Sequence, residues 1–214
     1  MEAQNKFYGE ALIGFLLAVF RTGFLLFSFG IALWVIVSIC ALLTDIPFLN
    51  TEFPVLFSLN KEGVLHNAEG IGVASFSMRQ GMGIIATDAL PKGFVALYIV
   101  IEFLRSLCIL WVMRLIIRIL EAVQMGGLLI LENAIRLRWV ALLGMAILFL
   151  GGLITIVSSA YLSDKLTFPG LEFSSFSLFF FATFGSVFHY LFLLVIAEAF
   201  RIGAILKEEV DLTI

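Results

Sequence analysis

Charge is what this sequence has least of. Only 14% of its 214 residues are Asp, Glu, Lys or Arg, against 62% that are hydrophobic, which excludes water as the main solvent of the fold. Cysteine is nearly absent as well. Cys40 and Cys108 both fall in apolar stretches, so buried thiols are expected rather than a disulfide framework. Histidine is equally scarce: His66 and His189 are too far apart to pair by local spacing, and no zinc helix or paired-cysteine site is present. The sequence also lacks a phosphate-binding glycine loop, a dinucleotide fingerprint and any nucleophile beside a local base. These absences lead to the expectation of a protein that is not an enzyme and carries no cofactor and no metal.

What is present is four long apolar runs, from about Thr22 to Leu43, Gly93 to Met113, Trp139 to Ala160 and Phe176 to Ala197. Each has about the 20 residues that a helix needs to cross a bilayer. The predicted fold is an all-α membrane protein, one four-span domain over residues 1–214, with a small extracytoplasmic β-rich insertion at 44–92 between helices one and two. No cleavable signal peptide is expected, because the first run is too long and no small-residue cleavage site follows it. That run really begins at Ala11, interrupted only by Arg21 and Thr22. A straight helix from Ala11 to Leu43 is roughly 50 Å long, beyond a ~30 Å hydrocarbon core. Two readings follow: residues 7–20 lie along the inner interface before the true span, or one long helix tilts and projects. The first is favoured slightly.

Lysine and arginine set the expected orientation. Lys6, Arg21, Arg114, Arg118, Arg136, Arg138, Arg201 and Lys207 fall on one side, and Lys61, Arg79, Lys92 and Lys165 on the other. Eight against four places both termini and the middle loop in the cytoplasm.

The outer segment contains Pro47, Pro54 and Pro91, three of the four prolines. Between these and several glycines, short β-like runs are predicted at Val55 to Leu59, Gly72 to Met78 and Gly83 to Thr87. Ala74, Phe76 and Met78 alternate with Ser75 and Ser77, the period of a small antiparallel sheet. Tyr161 to Ser175, with Pro169 and Gly170, is expected to cover that sheet or add a strand. On the inner side, 121–138 reads as an amphipathic element broken at Gly126-Gly127 and continuing into span three. Gly144, Gly151 and Gly152 in that span permit close helix approach.

The costliest residues are Glu102 and Arg105, three positions apart in the middle of span two and able to pair on one helix face. His189, beside Tyr190 and one turn from Ser186, lies at comparable depth in span four. One buried polar cluster of Glu102, Arg105 and His189 is therefore a candidate site, either a proton or ligand site or an interhelical tie. Glu198 and Arg201 form a similar pair at the inner end of span four. The tail 198–214 then ends in Glu208, Glu209 and Asp211, opposite in charge to Arg136 and Arg138.

The middle loop and tail carry a family likeness. Gly126, then Glu132-Asn133-Ala134-Ile135-Arg136-Leu137-Arg138, the run Glu198-Ala199-Phe200-Arg201-Ile202-Gly203 and the ending Glu208-Glu209-Val210-Asp211-Leu212-Thr213-Ile214 resemble the bacterial membrane proteins grouped as domain of unknown function 2975. The family pattern has a Pro-Phe pair where this chain has Leu128 and Leu129. The resemblance implies an integral protein of the bacterial inner membrane, often encoded beside a small helix-turn-helix regulator. It points to a sensor or membrane partner that sequesters that regulator, with Glu132, Asn133, Arg136, Arg138, Arg201, Glu208, Glu209 and Asp211 as the docking residues. No direct nucleic acid binding is expected, and the partners are membrane lipid and the regulator. The alternative is a small transporter or channel-like protein built on Glu102, Arg105 and His189, although the two halves show no convincing repeat. An oligomer of identical chains is a third reading.

Overall fold

The computed structural model describes residues 2–44, 51–66, 72–87, 91–163, 165, 172–173 and 179–213. Pro47, Pro169, Gly170, the start of span four at Phe176 and the terminal Ile214 lie outside the described residues. The elements in chain order are α1 (Glu2–Leu43), β1 (Thr51–His66), β2 (Gly72–Thr87), α2 (Lys92–Gln124), α3 (Leu131–Ser163), β3 (Glu172–Phe173) and α4 (Phe179–Thr213). All four helices contain a stretch long and apolar enough to cross a membrane. Their exteriors fit a lipid solvent. In α1 only 6% of the apolar window is buried, and Leu25, Phe29, Leu33 and Ile36 all point outward.

Helix α1 corrects the favoured reading of its N-terminal part. It runs without a break from Glu2 to Leu43, so residues 7–20 are not a separate interfacial segment. Arg21 does not interrupt it, since arginine is a good helix former, and its Nη2 donates to Glu121 Oε1 of α2 at 2.6 Å. A partner 100 residues away supplies what the local sequence lacks.

Successive helices pack side by side, and only sequence neighbours come close. Among the described residues α1 approaches α2, α2 approaches α3 and α3 approaches α4, while no other helix pair comes within 8 Å between Cα atoms. Small residues set these distances. Gly23 faces the Met113 tip, and a Cβ there would lie 3.2 Å from Cε. Gly144 of α3 is tighter: a Cβ would lie 2.0 Å from Tyr190 Cε1 of α4, so the ring rests directly on the α3 backbone.

The sheet has the order β2-β1-β3 and is antiparallel throughout. The expected short runs merge into two strands of 16 residues each, a long hairpin with register shifts at Ser58/Lys61 and Leu65/His66. Gly81, which lay between the expected runs, and Gly83, the expected start of the third run, both lie within β2, with the Phe57 ring across them. A Cβ on either would lie 2.5 or 2.8 Å from that ring. Among the described residues β3 pairs with Phe57 and Ser58 and does not reach Pro54, whose missing N–H is tolerated where no second strand is paired. The strand expected within 161–175 is present as β3. The alternation expected from Ala74 to Met78 falls largely on side chains outside the described set.

Aromatic rings and one hydroxyl fasten the sheet to the helices. Phe53, fully buried, sits 5.3 Å from Phe94 and 4.9 Å from Tyr98 between ring centroids, and Phe94 stacks on Tyr161 at 4.2 Å. The Leu56 N–H donates to Ser159 Oγ of α3 at 2.9 Å, deep in this contact. Ser159→Ala removes that acceptor and leaves a buried N–H, so detergent melting of the purified protein should show a loss of about 1–3 kcal/mol. Gly144→Leu should cost at least as much by wedging α3 from α4, in the range of roughly 1–3 kcal/mol or more for an overpacked contact.

Candidate functional site

Polar side chains concentrate in two places: the end of the helices where α2 turns into α3, and the middle of α2. At the turn end, α2 stops in a Schellman motif. Gly126 takes φ +80°, its N–H donates to Val123 O at 3.0 Å, and the Gly127 N–H donates to Ala122 O at 2.8 Å. Here the glycine is required, since other residues avoid that conformation. The break expected at Gly126-Gly127 is thus real, but the connection is short. Leu131 already begins α3, so Glu132 to Arg138 are its first turns.

Asn133 then locks the connection. It is 2% exposed, and its Nδ2 donates to the carbonyls of Gly127 at 2.8 Å and Leu128 at 3.3 Å. Arg136 donates to Asn133 Oδ1 at 2.9 Å, to Glu132 Oε2 at 2.5 Å and to the Arg118 carbonyl of α2 at 3.5 Å. The Glu-Asn…Arg signature is therefore a staple that ties α3 to the end of α2. This revises the docking set: Asn133 is buried and its amide is engaged, so a partner cannot reach it.

The α4 tail lies against this turn. Arg138 and Arg201 both donate to Glu198, Arg201 Nε at 2.8 Å and Arg138 to the other carboxylate oxygen. Leu129 packs at Gly203, where a Cβ would lie 3.4 Å from Leu129 Cδ2. Above them, Leu129, Ile130 and Leu131 face Ala204, Ile205 and Leu212 across a groove of about 360 Å³, with Lys207, Glu208 and Asp211 at its lining. The structure brings the loop and tail together as expected. The charges pair differently: Arg138 meets Glu198 and Arg136 meets Glu132, leaving Glu208 and Asp211 on the groove. Glu209 is exposed on the same helix. The apolar groove itself was missed. Its signal was Leu128 and Leu129, which depart from the family's Pro-Phe pair, together with Ile205 and Leu212 at helical spacing in the tail.

In the middle of α2 the expected pair forms. Arg105 Nη1 donates to Glu102 Oε1 at 2.8 Å, with the side chains 37% and 21% exposed. The pair spans both flanks of α2. Glu102 lines a groove against α1, and Arg105 reaches α3, 4.0 Å from where a Gly151 Cβ would be. His189 does not join them as one cluster. It occupies an exposed position on α4, which nowhere comes within 8 Å of α2 between Cα atoms among the described residues. The neighbouring Tyr190 meets α3 at Gly144, seven residues and ~10 Å along the helix from the Gly151 level of Arg105. No group of three or more metal-binding side chains converges among the described residues.

Asn133→Ala should destabilise the protein by about 1–3 kcal/mol, because two turn carbonyls and the Arg136 guanidinium lose their partner. Limited proteolysis between Met125 and Leu131 should accelerate in parallel. Unchanged cleavage there would remove the staple role.

Residues 83–214 match the model of a family described as protein of unknown function (DUF2975). That stretch holds the end of β2 from Gly83, the α2–α3 turn, the Asn133 staple and the α4 tail. No match is found among curated proteins or among solved structures. With more than half of its length matched, and the matched half carrying the stapled turn and the groove, the chain belongs to the DUF2975 family of proteins of unknown function.

Proposed function

We propose that this protein is a membrane-anchored docking partner for a soluble helix-turn-helix regulator, held on the face where the α2–α3 turn meets the α4 tail. The observation that carries the reading is the groove between Leu129–Leu131 and Ala204–Leu212, apolar along its floor and bearing Glu208 and Asp211 against Lys207. Such a shape suits an amphipathic helix laid in by its apolar face. The excess of acid favours a helix that also carries basic residues, as one that contacts DNA phosphates does. Binding at the membrane and binding to DNA then compete for the same side chains. The eight Lys and Arg at this end against four at the other favour a cytoplasmic location, in a bacterial inner membrane, with both termini inside.

The transporter alternative has less support. Its three candidate residues sit on α2 and α4, whose backbones do not come within 8 Å of each other between Cα atoms among the described residues.

Two measurements test the proposal. After replacement of Cys40 and Cys108 by serine, a cysteine at Ser75 should react with an impermeant thiol reagent added to intact cells, and one at Thr213 should react only after lysis. Reaction of both from the same side would overturn the orientation. For docking, the protein is co-expressed with the helix-turn-helix protein that the family likeness places beside it, and the membranes are washed at increasing salt. Deletion of Glu208 to Ile214, or Leu129→Asp with Leu212→Asp, should release the regulator at least tenfold while the membrane protein stays inserted. Full retention of the regulator by both variants sinks the docking role.

A further inference from the structure

The groove between α1 and α2 plays no part in the docking face. It holds about 350 Å³, at the small end of the roughly 300–1,000 Å³ typical of ligand clefts. Leu26, Phe27 and Ile31 give it apolar walls, and Gly30 gives it depth, since a Cβ there would meet nothing within 4 Å. Four polar groups share the same groove: the Trp34 indole, the Tyr98 and Ser106 hydroxyls, and the Glu102 carboxylate. Glu102 and Ser106 lie deeper in a segment long and apolar enough to cross a membrane, where an ionisable residue by default marks a functional site, while Tyr98 lies nearer the sheet, against Phe53.

We infer that this groove is a binding site for a single-chain amphiphile with an uncharged hydroxyl head, entering from the lipid between α1 and α2. The shape and the few converging polar groups indicate a ligand; the charge balance selects its class. Arg105 already holds Glu102 at 2.8 Å, so the polar floor is electrically neutral. A cationic or anionic head would bring an uncompensated charge to this depth. A plain alkane would give the hydroxyls no new partner. A hydroxyl can donate to the carboxylate and accept from Ser106 or Tyr98 without adding charge. The alkyl body then lies along Leu26, Phe27 and Ile31, where Gly30 makes room. The inference is independent of the docking reading and survives its failure.

Trp34 is one of three tryptophans and the one in the groove, so it can report occupancy directly. The full-length protein with Trp111→Phe and Trp139→Phe is placed in phospholipid nanodiscs. It is titrated with a terminally brominated long-chain alcohol, and with the matching bromoalkane, bromoamine and bromo-carboxylic acid. The alcohol should quench Trp34 saturably, with an apparent affinity about tenfold tighter than the other three, the scale of one hydrogen bond. Gly30→Leu, which has space for the added side chain, should abolish the saturable part, and Ser106→Ala should weaken it. Glu102→Gln leaves Arg105 as an uncompensated cation, so preference should shift towards the acid. A brominated diacylglycerol separates the sources: saturable quenching by it assigns the site to a membrane lipid, and quenching by the single chain alone assigns it to a free amphiphile. Equal quenching by the bromoalkane and the alcohol, or saturable quenching that persists in Gly30→Leu, overturns the inference.

Discussion

The hydrogen bonds from Asn133 to the carbonyls of Gly127 and Leu128 close the turn on which the remaining arrangement depends. Among the described residues α1 packs on no helix but α2, and α4 on none but α3, so the position of either outer helix is transmitted through the α2–α3 hairpin. In lipid no hydrophobic force drives helices together, and association rests on packing and polar contacts. A buried amide with both ends engaged, joined by Arg136 donating to the Arg118 carbonyl, adds a directional constraint to the packing of α2 on α3. The Leu129–Gly203 contact, and with it the groove at the tail, inherits that angle.

Charge is distributed by depth. The ion pairs Arg21–Glu121, Arg136–Glu132 and Arg138–Glu198–Arg201 gather at the turn end, where interfacial water softens the cost of ionisation. Glu102–Arg105 stands apart near the middle of α2, and its two members face different neighbours. A structural tie explains Arg105 against Gly151. It does not account for the open space beside Glu102, where Gly30 leaves room that a larger residue could fill.

Much of the fold was legible because lipid imposes length. Four apolar runs, a glycine break at 126–127 and the pairing of Glu102 with Arg105 at a spacing of three all follow from local sequence. What failed was what local sequence does not encode. Helices that are apolar all round carry no stripe that marks an inner face, so the rotation that separates His189 from Glu102 left no trace in hydrophobic periodicity. The Arg21–Glu121 contact between helices and the seat of the Phe57 ring on Gly81 and Gly83 join residues far apart in the sequence. Asn133 read as a docking residue because a polar side chain in a short motif looks the same whether it faces a partner or its own turn. The apolar groove at the tail needed the fold of the turn before its two walls could be seen as one.

The nearest-neighbour packing of the helices bears on how the protein is made. Each segment leaving the ribosome finds its partner in the one just before it, so α2 can pair with a waiting α1, α3 with α2, and α4 with α3, in the order of synthesis. No helix has to wait for a later helix to find a partner, although only the α2–α3 connection is short and the α1–α2 connection carries the whole β1–β2 hairpin. The β1–β2 hairpin is the exception. It is translated before α3, yet the Leu56 N–H has no Ser159 hydroxyl to meet until α3 has crossed the bilayer. The hairpin can therefore dock in stages, with Phe53 first meeting Phe94 and Tyr98 of α2, and Ser159, Tyr161 and the short β3 strand joining once α3 is in place.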